Sequence, residues 1–115
     1  MALANNTPWM GSVTIATGGT AEQLSVMLQA LTNFPFDTGV KGRVSGCTIQ
    51  FPFTESGYLY IGNSWVSSTD RGIELVPSQT YPVPTIGDNP IRLDEIWLVS
   101  DHDSAVVNVT LVRDS

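Results

Sequence analysis

Beyond residue 42 the chain breaks into short strand-like runs with turn-forming residues in every gap, and this spacing limits its possible folds more than any other feature. The runs cover residues 43–51, 57–61, 65–67, 73–76, 80–83, 91–99 and 105–112. Between them stand Pro52, Gly62-Asn63, Asp70 to Gly72, Pro77-Ser78, Gly87 to Pro90 and Asp101 to Ser104. An earlier run, 12–16, alternates apolar and polar side chains and is followed by Gly18-Gly19, where a tight turn needs positive φ. Seven or eight such strands predict an all-β, two-sheet β-sandwich, with a jelly roll as one version, and not alternating β and α units. Composition agrees: Val and Thr, twelve each, are the commonest residues, and both favour pleated, half-buried surfaces.

Two segments read less simply. Across 20–31, Leu24, Met27, Leu28 and Leu31 fall at i, i+3, i+4 and i+7, and Thr20 with Gln23 matches a capping box, which together describe one short amphipathic helix. The same stretch also reads as the return strand of a Gly-Gly hairpin through about Ser25. Along 91–99 strict alternation fails at Asp94-Glu95, so a bulge or register change is expected there.

Residues 1–11 lack alternation and are expected to form a flexible N-terminal arm, leaving 12–115 as a single sandwich domain. Pro8, Trp9 and Met10 on that arm are candidate partner contacts, since aromatic and Met side chains supply much of the energy of interfaces; packing on the chain's own body is the other reading. Phe34 and Phe36, in the Asn-, Pro-, Asp- and Gly-rich loop 32–42, are the second candidate pair.

Charge narrows the partners. A net charge of −6 with five basic residues scattered along the sequence argues against nucleic acid and against a polybasic membrane contact. No run approaches the ~18 apolar residues of a spanning helix, and the first residues lack the pattern of a secretory signal, so a soluble, cytosol-made protein is expected. Cys47 has no partner for a disulfide, and stability must come from the core or from neighbouring subunits.

Candidate chemistry is sparse. Asp37-Thr38-Gly39 matches the short signature of dimeric aspartic proteases, but Pro35 stands where that fold needs an inner strand, and a turn is the ordinary use of Asp and Gly. His102 is the sole histidine, and Asp101 and Asp103 beside it are too few to fill the oxygen shell of a calcium ion. No Gly-x-Ser-x-Gly exposes a nucleophile for a Ser-His-Asp triad. Cys47 reads as a small buried thiol. No catalytic residue, cofactor site or metal site is therefore expected. Trp65, Trp97, Tyr58, Tyr60 and Tyr81 are alternatively the stacking face of a glycan-binding module, and Tyr58 and Tyr60 should share one face opposite Leu59.

From Val44 onward, the order of Ser45-Gly-Cys-Thr-Ile-Gln50, Tyr60-Ile-Gly-Asn-Ser64, Val66-Ser-Ser-Thr69, Arg71-Gly-Ile-Glu-Leu75, Pro77-Ser-Gln-Thr-Tyr81 and Leu93-Asp-Glu-Ile-Trp97 resembles small virion proteins of tailed bacteriophages, of the decoration (cement) or minor head type. Pro77-Ser78 replaces the Pro-Gly turn common in such proteins, a turn expected to form without placing Ser at positive φ, and residues 26–42 look like an insertion. The resemblance implies a compact β-sandwich that binds the outside of a capsid, contacts the major capsid protein and reinforces the shell. It implies a homo-oligomer, a trimer being one such assembly, located on the virion and without catalytic residues.

Overall fold

The computed structural model describes residues 9–31, 43–63, 66, 72–85 and 91–113. Its elements run β1 (Trp9–Ile15), β2 (Glu22–Gln23), α1 (Leu24–Gln29), β3 (Arg43–Gln50), β4 (Leu59–Gly62), β5 (Ile73–Leu75), β6 (Thr80–Pro82), β7 (Ile91–Arg92), a 3-10 turn (Leu93–Glu95), β8 (Trp97–Ser100) and β9 (Ala105–Arg113). One sheet has the order β1-β9-β3-β6, with β7 also on β3, and the other the order β2-β8-β4-β5. Every pairing is antiparallel.

This order has a simple physical origin. Leaving aside the two-residue β7, strands pair as nested hairpins, β4 with β5, β3 with β6, β2 with β8 and β1 with β9, so the chain forms one long antiparallel ribbon. Rolling that ribbon brings β9 against β3 and β8 against β4, which closes two sheets over a common interior. The result is the winding of a jelly roll, the version of the sandwich named from the sequence.

Alternation decides what lies inside. From the first sheet Val13, Ile15, Cys47, Ile49, Phe51, Val107, Val109 and Leu111 point inward, and Leu59, Ile61, Leu75 and Leu98 meet them from the second. Phe51, Ile15, Ile49, Leu59, Leu98 and Leu111 are fully buried, each worth roughly 1.5–3 kcal/mol of transfer free energy. Burial pushes the Cys47 thiol up to about 12. On the outer side of the second sheet Tyr60, Val66 and Val99 make a smaller cluster flanked by Trp97.

The ambiguous segment 20–31 contains both of its readings in succession. Glu22 and Gln23 form a strand, but it pairs with Leu98 and Trp97 of β8 and not with β1 as a Gly-Gly hairpin would. Helix α1 then buries Leu24, Met27 and Leu28, three of the positions that its periodicity picked out. The capping box is not used: the N-cap is Gln23, without a side-chain capping bond, and its amide donates instead to the Asp94 carbonyl, 2.6 Å away in the neighbouring 3-10 turn. The break at Asp94-Glu95 is a 3-10 turn that transfers the chain from β7 in one sheet to β8 in the other.

Strand β1 starts at Trp9, which corrects the arm boundary: residues 9–11 belong to the first sheet, with Trp9 opposite Leu111 and Gly11 opposite Val109. Gly11 makes this possible, because the Trp9 indole lies 2.6 Å from where its Cβ would be. Residues 1–8 of the expected arm lie outside the described residues.

The turn joining β5 to β6 also departs from expectation. The Gln79 N–H donates to the Val76 carbonyl at 3.0 Å, Pro77 holds the first corner, and Ser78 sits at φ 78°. That is a type II turn, whose third residue needs the left-handed conformation that glycine adopts without cost. Serine occupies the glycine position of this turn with its strain.

Candidate interaction surface

The most distinctive surface follows from which strands lie side by side. Residues 9–15, 46–50, 80–82 and 105–112 contain no charged side chain, and the register places these segments next to one another as β1, β9, β3 and β6. Val106, Asn108, Thr110 and Val112 point outward along the middle of this face, opposite in parity to the buried residues of β9. Met10, Ser12 and Thr14 flank them on β1, and Thr48 and Gln50 on β3. Asn108 Nδ2 donates to Gln50 Oε1 at 3.1 Å, satisfying two amides against each other across the strands. In a chain of net charge −6, a charge-free face spanning four strands has the composition of an interface core, from which charged residues are depleted.

Phe53 stands at one end of the face. It is 80% exposed, the highest value among the exposed large hydrophobic side chains of the described residues, and it borders a groove of about 400 Å³ lined also by Gln50, Pro52, Thr54, Ser78, Val106 and Asn108. The loop that carries it is held firmly: Phe51 N–H donates to the Gln79 carbonyl at 3.0 Å, and Ser78 N–H donates back to the Phe51 carbonyl at 2.7 Å. Glu55 anchors the other side, where its Oε1 accepts from Val106 N–H at 3.2 Å.

Beside this loop, His102 sits between two carboxylates. Its Nδ1 is 2.9 Å from Asp101 Oδ1 and its Nε2 is 3.1 Å from Glu55 Oε1. The bonds to Asp101 and Glu55 raise the His102 pKa against the opposing effect of burial. For Asp101, burial pushes the carboxyl up, but the His102 ring and the Tyr58 N–H outweigh it and lower its pKa. Gly57 is required here: its φ is +76°, and a side chain there would run into the Asp101 carboxylate. Asp103 in turn accepts from Gly18 N–H at 2.8 Å. The cluster therefore ties together the loops that follow β1, β3 and β8.

The same geometry limits its chemistry. Both ring nitrogens of His102 are engaged by carboxylates, which leaves neither to take a proton from a hydroxyl or water. Ser100, the adjacent hydroxyl, is buried and donates to the His102 carbonyl at 2.6 Å. Among the described residues no group of three His, Cys, Asp or Glu side chains is placed to hold a metal ion.

Of the contact residues picked from sequence, Trp9 is half-buried and packs against the core, whereas Met10 is 72% exposed on the charge-free face. Pro8, Phe34 and Phe36 lie outside the described residues, as do Asp37 and Trp65. Of the remaining aromatics, Trp97 lies with Tyr60 on the outer side of the second sheet, and Tyr81 does not. Tyr58 and Tyr60 stack with ring centroids 6.3 Å apart, opposite the buried Leu59 as the alternation required, but Tyr60 is buried and Tyr81 faces the interior between the sheets. Three of the arginines are less scattered than their sequence positions: the register sets Arg43 opposite Arg92 and Val44 opposite Arg113 at one end of the first sheet. Arg92 is paired with Asp94 at 2.8 Å. Phe53 escaped the sequence reading, although a large aromatic directly after the turn residue Pro52 was the available signal.

Set against models of known protein families, curated proteins and solved structures, the chain finds no match in any of the three comparisons.

Proposed function

We propose that this chain is a non-enzymatic structural protein of a bacteriophage particle, which binds the outside of the capsid through the major capsid protein and reinforces the shell as a homo-oligomer. The observation that carries the reading is the charge-free face of the first sheet, a surface whose composition suits contact with protein better than exposure to water. Two further features support it. The motif order from Val44 onward resembles small virion proteins of tailed phages, and the jelly roll is a scaffold used in viral capsid domains, although a fold by itself does not define a function.

Many identical sites on a shell convert a modest contact into strong attachment, because each bound copy is reinforced by neighbours. A rigid two-sheet body suits that task. The test is to mix purified protein with undecorated capsids of the phage that encodes it and to measure bound copies and the temperature at which shells rupture. Saturable binding with a raised rupture temperature is expected. Capsids that retain no protein, or rupture at an unchanged temperature when saturated, would overturn the proposal.

A further inference from the structure

We infer that the outer edge of β1 is a strand-addition site for an extended segment of another protein, antiparallel to β1, with apolar side chains at alternate positions and a Lys or Arg at its N-terminal end. The inference goes beyond the reading above and does not rest on it, so it is tested without any capsid.

Three observations carry it. The first is the direction in which the backbone of β1 points. Along a strand between two antiparallel neighbours, N–H and C=O groups turn to one neighbour at odd positions and to the other at even ones. Cys47 and Phe51 turn theirs to the β6 side, since the Cys47 carbonyl accepts from Val83 N–H at 2.8 Å and Phe51 exchanges bonds with Gln79 and Ser78. Thr48 and Gln50 therefore face β9, opposite Thr110 and Asn108, which leaves Val107 and Val109 to face Val13 and Gly11 of β1. Met10, Ser12 and Thr14 are left with their N–H and C=O groups aimed away from the sheet. Ala16 N–H, the next of this series, donates to Glu22 Oε2 at 3.1 Å. Among the described residues β9 is the one strand paired with β1.

The second observation is that, among the described edge strands, β1 alone is unguarded. β6 is three residues long and holds Pro82, and β5 is three residues long with Glu74. β2 and β7 are two residues each, with Glu22 and Arg92. Short length, proline and charge are the usual means by which an edge refuses another strand. β1 has seven residues, no charge, no proline and an unshifted register.

The third is a groove of about 320 Å³ between β1 and α1, lined by Val13, Val26, Met27, Ala30 and Leu31 with Glu22 beside them. A strand added to β1 points alternate side chains the same way as Val13, into this groove, so that main-chain bonds give affinity and the groove gives selectivity. Val26 is 58% exposed there although it is apolar. Glu22 and the net charge of −6 select a basic residue at the Ala16 end of the edge, which is the N-terminal end of an antiparallel segment. A second copy does not supply it, because its own β1 carries no basic side chain.

The probe is a capped peptide as long as β1, one lysine followed by alternating valine and threonine, added to isotope-labelled protein up to about 1 mM. In the antiparallel register its valines enter the groove and its threonine backbone pairs with Met10, Ser12 and Thr14. The amide resonances of these three residues should move saturably. Methylating the threonine nitrogens of the peptide should abolish the movement, and methylating the valine nitrogens, which face away, should not. Exchanging the peptide lysine for glutamate should weaken binding at least about tenfold, a preference that Glu22→Gln should erase. Val26→Lys should also weaken binding about tenfold, with an unchanged circular dichroism spectrum because the side chain is mostly exposed. If these variants do not fold, the two methylated peptides decide. Amides of Met10, Ser12 and Thr14 that stay still, or equal binding of the two methylated peptides, would overturn the inference. So would movement of the same amides when the protein alone is concentrated, which assigns the edge to a second copy.

Discussion

Replacing Ser78 by glycine should stabilise this protein. Ser78 holds φ 78° at the third position of the Val76–Gln79 turn, fixed there by the Gln79 N–H bond to Val76 at 3.0 Å and its own N–H bond to Phe51 at 2.7 Å. A left-handed conformation costs an L-residue other than glycine roughly 1–2 kcal/mol. Glycine removes that strain but gives up about 0.5–1 kcal/mol through its freer unfolded chain. The difference favours Ser78→Gly by about 0.5–1 kcal/mol, equivalent to a rise of roughly 2–4 °C in Tm for a domain near this size. The assay is thermal unfolding at low protein concentration, where self-association does not contribute, with a urea titration to verify that the m-value is unchanged. An unchanged or lower Tm would refute the reasoning that this turn stores backbone strain.

Two further outcomes follow from buried and paired groups. His102→Gln should cost about 1 kcal/mol at mildly acidic pH, since two partly exposed charge-assisted bonds are lost. The His102 pKa is raised above its ordinary 6.5, so the protonated ring contributes fully below pH 6.5 and loses its contribution as pH rises through the folded-state value. Asp101 is lowered from its ordinary 3.8, so its contribution fades as pH falls below that value. The Tm gap between wild type and His102→Gln should accordingly be widest between these limits and narrow at alkaline pH; a gap independent of pH would contradict a charged His102. Cys47, buried with its thiol pushed up to about 12, should ignore a thiol reagent at pH 8 in the native protein and react once urea unfolds it. Rapid labelling of the native protein would contradict its burial.

The strands were legible because each pleated segment writes its burial as alternation, and Arg43–Gln50, Ile73–Leu75, Thr80–Pro82 and Ala105–Arg113 fall where those runs stood. The helix was legible in Leu24, Met27 and Leu28 for the same reason at a different period. What failed was decided by distant partners. Gln23 has the residue type for a capping box, but its amide is drawn to Asp94, which nothing near it in sequence announces. Residues 9–11 read as an arm because Met10 and Gly11 obscure the pattern; Trp9, Gly11, Val13 and Ile15 do alternate once Gly11 is understood as room for the indole.

The candidate surface was hidden for a different reason. Each of the segments 9–15, 46–50, 80–82 and 105–112 visibly lacks charge, yet only the jelly-roll pairing sets β9 between β1 and β3 and merges them into one face. Arg43, Arg92 and Arg113 behave likewise, brought to one end of the first sheet by pairings that no local pattern encodes. Ser78 is the opposite case. The Pro-Ser dipeptide marked a turn, and the bond from Gln79 to Val76 then forced the serine into the conformation its residue type disfavours.

The central claim is that this sandwich acts by adhering to the outside of a shell. The most direct test is a reconstruction of the phage head with and without this protein. The account predicts two-layered β-sheet density on the outer surface that disappears when the protein is withheld. Identical outer surfaces in the two particles, or density for the chain inside the shell, would contradict it.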